Sequence, residues 1–238
     1  MSDPIIIALD LESAAQARSL VKTLGDSVGF YKVGMELYAA AGMDYARELA
    51  DSGKRVFLDL KMYDIPETVK RAVKQVAKTN VEFLTIHARL SVMQAAMDGR
   101  AESRLKLLGV SVLTSMDDQD LLVDSGHSDK VGDLVALRSR NAIAVGIDGI
   151  VCSPLEVAMV RGVTSGKTIL VTPGVRSRVG AASDQKRIAT PAEAVAAGAD
   201  YIVIGRQVTR AEDPVAEIVR IRQEIASTSQ MVTPRGVV

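Results

Sequence analysis

The sequence alternates eight short apolar runs with amphipathic segments of helical periodicity, and this alternation constrains the fold more than any other feature. The apolar runs are rich in β-branched residues, a composition typical of strands buried on both faces. Because a helix is expected after each strand, neighbouring strands should pair in parallel, and eight such units fit a closed (β/α)8 barrel. The predicted strands cover residues 5–9, 29–35, 55–58, 81–87, 106–113, 149–152, 168–172 and 201–204.

Helix-start signals support this alternation. Ser153-Pro154-Leu155-Glu156 and Thr190-Pro191-Ala192-Glu193 each combine a capping residue, a proline at the first helical position and a glutamate at the third. The competing fold is an open, doubly wound sheet, but no glycine-rich turn follows the first strand. The sequence therefore predicts an α/β protein in which residues 1–226 form a single-domain (β/α)8 TIM barrel. Residues 227–238 lack periodicity and are predicted to be a disordered tail.

Composition excludes several classes of function. The formal net charge is zero and no basic block occurs, which argues against binding to nucleic acid or to an anionic membrane surface. No apolar run approaches the length of a membrane span. Cys152 is the single cysteine, so an intramolecular disulfide is impossible, and its apolar surroundings are more typical of packing than of reactivity. These features predict a soluble, cytoplasmic protein.

The third predicted strand runs into the stretch Asp59-Leu60-Lys61-Met62-Tyr63-Asp64-Ile65-Pro66. Residues two apart on a strand share a face, so Asp59 and Lys61 should point the same way, with Asp64 close enough to complete a cluster. Each residue also has a structural explanation: an Asp59–Lys61 ion pair, and a capping box formed by Asp64 with Glu67. Three charges at the exit of a buried strand are costly, however, and together they indicate a functional site.

A barrel of this kind builds its chemistry where the carboxyl ends of the strands converge. Polar residues do collect at these predicted ends. They are Asp10, Lys32, Asp59, Lys61, His87, Thr114, Ser115, Gly205 and Arg206. The acids and lysines from the first three strands should form an alternating array that titrates as a coupled set. For His87 a buried core histidine is an equally good interpretation.

Gly205 and Arg206 also suit a phosphate, because glycine admits a ligand to the backbone and a guanidinium grips an anion in bidentate fashion. Such barrels often bind phosphate with the loops after strands seven and eight. The loop that begins at Pro173-Gly174-Val175-Arg176 and contains Gln185 has the composition of a lid, although an ordinary surface loop fits equally well. No cluster has metal-ligand spacing, so no metal site is predicted from the residues themselves.

These motifs resemble the orotidine 5′-phosphate decarboxylase family of phosphate-binding (β/α)8 barrels, over a span from Ile5 to about Ile225. The resemblance rests on Asp10, Lys32, the Asp-x-Lys-x-x-Asp-Ile-Pro string at 59–66, Leu113-Thr114-Ser115, Pro173-Gly174-Val175-Arg176, Gln185 and Ile204-Gly205-Arg206. It implies decarboxylation of a nucleoside monophosphate, orotidine 5′-monophosphate, to uridine 5′-monophosphate without metal or cofactor. That reaction is the last step of de novo pyrimidine synthesis.

The resemblance also implies roles for residues at the reacting end of the substrate. Lys61 would protonate C6 of the pyrimidine. Asp59 and Asp64 would lie beside the substrate carboxylate. Lys32 would orient Asp59 and, with Asp10, bind the ribose hydroxyls.

Further implied roles concern the pyrimidine, the phosphate and a second subunit. Thr114 would meet the pyrimidine edge, and Arg176 would support a phosphate held by Gln185, Gly205 and Arg206. In this family the residues that match Asp64, Ile65 and Thr68 reach the site from a partner subunit, so a homodimer is implied.

Two alternatives remain open from the sequence. The first is a Mg2+-dependent sugar-phosphate decarboxylase or aldolase of the same superfamily, of the 3-keto-L-gulonate-6-phosphate decarboxylase or hexulose-phosphate synthase type. Those relatives hold the cation with carboxylates that include one on strand two, where this chain has Lys32, a poor neighbour for a divalent cation. The second alternative is a non-catalytic barrel that binds nucleotide phosphates.

Overall fold

The computed structural model describes residues 3–126, 130–164, 166–177 and 189–231, and in this part of the chain eight parallel strands close into a barrel in sequence order. The last strand pairs with the first, through Ile5 opposite Ile202 and Ile7 opposite Ile204. The predicted (β/α)8 barrel is therefore confirmed. The strands are β1 (Ile5–Ala8), β2 (Phe30–Gly34), β3 (Arg55–Met62), β4 (Phe83–His87), β5 (Lys106–Val110), β6 (Gly149–Val151), β7 (Ile169–Thr172) and β8 (Tyr201–Ile204).

Helices surround the barrel, and most begin where the sequence predicts. Ser153 and Thr190 both form complete capping boxes, in which Glu156 and Glu193 accept hydrogen bonds from the backbone N–H groups of the cap residues. Ser153 caps a 3-10 turn, Pro154–Glu156, which leads directly into the helix that begins at Val157. Within the described ranges the helices are α1 (Ala14–Leu24), α2 (Met35–Asp51), α3 (Pro66–Val76), α4 (Leu90–Arg100), α5 (Asp118–Ser125), α6 (Val131–Val145), α7 (Val157–Val163), α8 (Pro191–Ala196), α9 (Arg206–Thr209) and α10 (Pro214–Met231). None of these helices is long and apolar enough to cross a membrane.

Three differences from the prediction bear on the site or on the end of the domain. Strand β5 ends at Val110, so Thr114 and Ser115 lie in the following loop. Helix α9 was not predicted, because four residues are too few to show helical periodicity. Helix α10 continues to Met231, so the predicted domain end at residue 226 falls inside a helix. The rest of the predicted tail, 232–238, lies outside the described residues.

Burial on both faces explains the continuous apolar strands. On β1, Ile5 and Ile7 pack against the surrounding helices, whereas Ile6 and Ala8 point into the barrel. The interior core is completed by side chains from the other strands, namely Phe30, Phe57, Phe83, Leu108, Val110, Val151, Val171 and Val203. The interior is thus a packed apolar core beneath the carboxyl ends of the strands.

An arginine closes the opposite, amino-terminal end of the barrel. The Arg55 guanidinium lies 4.0 Å from the centre of the Phe30 ring and makes two hydrogen bonds to Glu82, at 2.6 and 2.9 Å. It also donates to the Tyr201 hydroxyl at 2.9 Å. The rings of Phe30, Phe83 and Tyr201 meet edge to face beside it. This cluster, which we call the base cluster, leaves the carboxyl end of the strands as the open end.

Helices α3 and α4 pack so closely that Gly99 has no room for a side chain. A β-carbon there would lie 2.3 Å from the Lys70 carbonyl oxygen. We expect Gly99→Ala to lower the free energy of unfolding in urea by about 1–3 kcal/mol, because the two helices must separate. Gly132→Ala in α6 is the matched control, since its β-carbon would meet no atom within 4 Å. It should stabilise the fold by about 0.4–1 kcal/mol. Equal stabilities for the two variants would contradict the expectation.

Candidate active site

The carboxyl ends of the strands open into a cleft of about 1340 Å3. Most of the site residues predicted from the sequence line this cleft. They are Asp10, Lys32, Asp59, Lys61, Thr114, Arg176, Gly205 and Arg206. His87, Asp64, Ile65 and Thr68 are not among the lining residues, and Gln185 lies outside the described residues.

Acids and lysines alternate along one side of the cleft, and we call these four residues the charged array. The Lys32 ammonium lies 2.8 Å from Asp10 Oδ1 and 3.7 Å from Asp59 Oδ2. Asp59 Oδ2 is in turn 2.9 Å from Lys61 Nζ. Strands β1, β2 and β3 are neighbours in the barrel, with Asp59 beside Gly34 and Lys32 two residues earlier on β2, beside Ala8. The long Lys32 side chain therefore extends towards the strand ends to reach both carboxylates.

Asp59 is the centre of the charged array and is buried, with 9% of the residue exposed. Burial raises the pKa of its carboxyl group, but the ammonium groups of Lys32 and Lys61 and the hydrogen bonds from Lys61 and Thr85 outweigh that effect. The pKa of Asp59 therefore lies below its usual value. Asp59 is ionised at neutral pH, as a carboxylate between two ammonium groups should be.

The lowered pKa of Asp59 predicts a pH-dependent contribution to stability. That contribution is fully present above the usual aspartate pKa of about 3.9 and is lost as pH falls through the lowered folded-state pKa. At neutral pH we expect Asp59→Asn to lose roughly 3 kcal/mol of unfolding free energy, because two ammonium groups lose their shared carboxylate. The deficit should shrink below about pH 4, where wild type also loses this contribution.

Thermal unfolding of both proteins between neutral pH and about pH 3 measures this deficit. Asp98→Asn is the control, because Asp98 pairs with Lys70 at 3.4 Å on the surface. An exposed pair of this kind contributes less than about 1 kcal/mol. A deficit for Asp59→Asn that stays constant to the lowest pH would refute the assignment.

The backbone conformation that places Lys61 in the cleft differs from the predicted one. Its backbone is left-handed, with φ of 47°, rather than extended. Leu58 is paired with Leu84 and Met62 with Ile86, so β3 carries extra residues between these pairs and bulges away from β4. The simple two-residue alternation assumed for Asp59 and Lys61 was therefore wrong, although both side chains meet. A non-glycine residue with this φ is strained and persists only where its surroundings hold it.

Thr85 on β4 was not identified from the sequence. It is completely buried, and its hydroxyl accepts the Lys61 backbone N–H at 2.8 Å and donates to Asp59 Oδ1 at 2.9 Å. The only sequence signal is its alternation with Phe83 and His87, which places it on the inward face of β4. A threonine is common in strands, so this signal alone does not mark a functional residue.

Gly34 at the end of β2 was also missed. A β-carbon at this position would lie 2.7 Å from Lys32 Nζ and 2.9 Å from Asp10 Oδ1. The absence of a side chain therefore makes room for the Lys32–Asp10 ion pair. The available signal was a glycine two residues after the lysine, on the same face of the strand.

Asp64 does not complete the cluster within its own chain. Its Oδ1 accepts the backbone N–H of Ile65 at 2.6 Å, and among the described residues Lys61 forms an ion pair only with Asp59. After the bulge the chain turns outward, which leaves Tyr63 64% and Ile65 66% exposed. The proposed capping box with Glu67 is also absent, because α3 begins after Ile65 without a side-chain cap. Thr68 lies in the first turn of α3.

His87 is half-buried at the end of β4, and its ring lies 5.4 Å from that of Tyr63. Burial lowers the pKa of His87, and the nearby positive charges of Arg138, Arg89 and Lys61 lower it further. Its environment therefore favours the neutral imidazole. Cys152 is in no disulfide and is fully buried after β6, in agreement with a packing role.

The part of the cleft that follows β7 and β8 carries the arginines and glycine suggested for a phosphate. Gly205 precedes α9, and a β-carbon added there would meet only Ala8, at 3.8 Å. Packing therefore does not require glycine here, whereas open space above the backbone suits an approaching ligand. Arg176, in the loop after β7, and Arg206, just after β8, also line the cleft. Among the described residues, no group of three histidine, cysteine or acidic side chains is placed to hold a metal ion.

The first part of the loop after β7 is fixed to the two last helices through Ser177. Its hydroxyl donates to Glu224 at 2.6 Å and accepts hydrogen bonds from Gln207 at 2.9 Å and Arg220 at 2.8 Å. The Ser177 backbone N–H also donates to Gln207 Oε1 at 2.9 Å. These bonds fix the position of the segment that carries Arg176 into the cleft.

Comparison with known proteins gives a consistent result. The family described as "Orotidine 5'-phosphate decarboxylase / HUMPS family" matches residues 3–221. A protein named orotidine 5'-phosphate decarboxylase from Nitrobacter winogradskyi is 50% identical over 224 residues, which cover 94% of this chain and 93% of the relative. A protein of the same name from Rhodopseudomonas palustris strain TIE-1 is 50% identical over 225 residues, with 94% of each chain covered.

Solved structures agree with this match. The crystal structure of orotidine 5'-phosphate decarboxylase from Lactobacillus acidophilus superposes with a TM-score of 0.80 at 36% identity, covering 93% of this chain and 98% of that one. An uncharacterized conserved protein from Geobacillus kaustophilus gives a TM-score of 0.80 at 34% identity, covering 93% of this chain and 100% of that one. The chain therefore belongs to the orotidine 5′-phosphate decarboxylase / HUMPS family.

Proposed function

We propose that this protein decarboxylates orotidine 5′-monophosphate to uridine 5′-monophosphate, with neither metal nor cofactor. The observation that carries the proposal is the charged array, in which the Lys61 ammonium is held 2.9 Å from the buried Asp59 carboxylate at the edge of the cleft. The cleft, of about 1340 Å3, is large enough for a nucleoside monophosphate. Family membership and the names of the relatives support the same reaction.

In this reaction the bond between C6 and the carboxylate breaks, CO2 departs, and the electron pair stays on C6. Lys61 then transfers a proton from its ammonium group to C6, and water later restores the proton to the lysine. Before transfer, the positive charge of Lys61 stabilises the developing carbanion. The overall reaction consumes one proton and releases CO2.

Asp59 acts on the same step in one of two ways. Its ionised carboxylate either repels the substrate carboxylate in the ground state or fixes Lys61 so that the ammonium is aligned before carbanion forms. The hydrogen bond from Lys61 and the hydrogen bond from Thr85 restrain both oxygens of Asp59. Either effect requires this fixed, charged carboxylate.

Binding groups extend from the reacting end towards the phosphate. Lys32 and Asp10, which pair at 2.8 Å, are proposed to bind the ribose hydroxyls, while Lys32 also orients Asp59. Thr114, buried at the edge of the cleft, is proposed to meet the pyrimidine. These groups fix the ring with C6 towards Lys61.

The phosphate is proposed to bind between Gly205 and Arg206, with support from Arg176 and a further contact from Gln185. Gly205, Arg206 and Arg176 line the cleft in the segments that follow β7 and β8, whereas Lys61 lies on β3. Binding energy from a remote phosphate can be used to hold the loop after β7 over the substrate, so that it raises kcat as well as affinity.

A homodimer is part of the proposal. Asp64, Ile65 and Thr68 lie outside their own cleft, and the exposed Tyr63 and Ile65 side chains form an apolar surface that a second copy would cover. In the dimer, Asp64 would enter the partner's cleft beside Lys61 and complete the carboxylate–ammonium–carboxylate cluster. The single buried cysteine supports assignment of this enzyme to the cytoplasm.

The deciding experiment follows the ultraviolet absorbance of orotidine 5′-monophosphate mixed with purified protein in excess chelator. We expect rapid conversion to uridine 5′-monophosphate. No turnover in chelator, and none after Mg2+ is restored, would refute this assignment and leave the sugar-phosphate relatives or a binding protein. Binding of uridine 5′-monophosphate without turnover under either condition would favour a binding protein. Lys32, with both Asp10 and Asp59 within 3.7 Å, argues against a divalent cation between those carboxylates.

A further inference from the structure

We propose that Thr85 is a positioning residue, whose hydroxyl fixes both the bulge that presents Lys61 and the orientation of the Asp59 carboxylate. The kinetic part of this inference rests on the proposed decarboxylation. The structural part concerns the conformation of β3 and stands independently. Thr85 is buried beneath the charged array and does not line the cleft, so it acts through its neighbours.

The direction of the Thr85 hydroxyl is set by its two partners. Ionised Asp59 can only accept, so the hydroxyl proton must point to Asp59 Oδ1, 2.9 Å away. The Lys61 backbone N–H can only donate, so it takes a lone pair of the same oxygen, at 2.8 Å. A side chain here must both donate and accept at one atom, which serine can do and valine or alanine cannot.

The hydroxyl replaces a main-chain partner that the bulge removes. Between the Leu58–Leu84 and Met62–Ile86 pairs, β3 and β4 lose their register. A buried backbone N–H in such a gap needs another acceptor, and Thr85 provides it for Lys61. A left-handed backbone is unfavourable for a lysine, so the hydrogen bond to Thr85 helps to hold Lys61 in a conformation that it would not adopt alone.

A closed ring of hydrogen bonds fixes both the backbone and the ammonium group of Lys61. The backbone N–H contacts Thr85, Thr85 contacts Asp59 Oδ1, and Asp59 Oδ2 contacts the Lys61 ammonium at 2.9 Å. Loss of the Thr85 hydroxyl removes two of these hydrogen bonds and allows the Lys61 ammonium to shift. A displacement of about 1 Å in a catalytic group can reduce turnover about a hundredfold.

The test compares Thr85→Val with Thr85→Ser in single-turnover decarboxylation. We expect Thr85→Val to lower the rate about a hundredfold. The KM for the substrate and the affinity for uridine 5′-monophosphate should change far less, because Thr85 makes no contact with the cleft. Thr85→Ser should restore most of the rate. Thr172→Val is the matched control, since this threonine is also fully buried but its hydroxyl has no partner in the described structure, and its rate should equal that of wild type.

Several outcomes would overturn the proposal. They are an unaffected rate in Thr85→Val, equal losses in Thr85→Val and Thr85→Ser, or a loss that appears only as weaker binding. If Thr85→Val does not fold, Thr85→Ala and Thr85→Ser provide the same contrast, because both lack the methyl group and only serine keeps the hydroxyl. Equal rates for these two would also overturn it.

A crystal structure of the valine or alanine variant gives a readout independent of activity. We expect Lys61 to leave the left-handed region there, and an unchanged Lys61 backbone would refute the structural part. Absence of turnover in wild type would refute the proposed function instead, so the two failures are distinguishable.

Discussion

Replacement of Lys61 by alanine is expected to reduce decarboxylation by at least about 10⁴-fold, because two contributions disappear together. A positioned proton donor contributes about 10²–10⁴-fold. Loss of one group that stabilises developing negative charge costs a further 10²–10³-fold or so. The alanine keeps a β-carbon, so the left-handed backbone at this position is no more strained than in wild type.

Binding of uridine 5′-monophosphate should largely survive this substitution. The ribose and phosphate groups are proposed to contact other residues, and Asp59 keeps its contacts with Lys32 and Thr85. The measurements are single-turnover rates and calorimetric titration with the product. Lys70→Ala is the control, because Lys70 also pairs with an aspartate but on the surface, 3.4 Å from Asp98. A Lys61→Ala protein with near wild-type turnover would eliminate Lys61 as the proton donor.

The second large effect is expected for Asp64→Asn, a variant that tests whether this carboxylate acts in its own cleft or in the cleft of the partner subunit. The variant alone should lose about a hundredfold or more in turnover, since a charged group beside the transition state is removed. Co-expression with Lys61→Ala should then restore about a quarter of wild-type activity, provided that two-fold dimers assemble at random. In each mixed dimer, one cleft combines an intact Lys61 with an intact Asp64 from the partner chain.

The same mixture distinguishes the possible arrangements. If Asp64 acts in its own chain, no cleft in the mixed dimer is intact, and activity stays at the level of the separate variants. Lys61→Ala mixed with the double variant Lys61→Ala, Asp64→Asn is the negative control, because neither chain supplies the lysine. Recovery in that control would indicate contamination by wild-type protein rather than complementation.

The fold was predictable because burial on both faces leaves a strong record in the sequence. The run Ile5 to Leu9 has no polar residue, since alternate side chains face the helices and the barrel interior. Capping boxes at Ser153 and Thr190 add local signals that depend on adjacent residues alone. Helix α9 was not predicted, because a single helical turn after Gly205 is too short to show a periodic pattern.

Only the part of the site that lies at the carboxyl ends of the strands could be predicted from the sequence. Asp10, Lys32 and Asp59 meet because parallel strands in register bring their carboxyl ends together. The bulge at Lys61 could not be predicted, because it depends on contacts with β4 and leaves no mark in composition. Thr85 and Gly34 were missed for the same reason: each matters through an atom on a neighbouring strand or side chain.

The base cluster has a consequence for how substrate enters and how products leave the enzyme. Arg55, stacked on Phe30 and bonded to Glu82 and Tyr201, closes one end of the barrel, and the apolar core fills its interior. In the described part of the chain, the barrel is therefore open only at the carboxyl ends of its strands. Substrate, uridine 5′-monophosphate and CO2 should all enter and leave through the cleft at that end. Uridine 5′-monophosphate should therefore inhibit competitively, and CO2 formed beside Lys61 must escape past the nucleotide or wait until the nucleotide leaves.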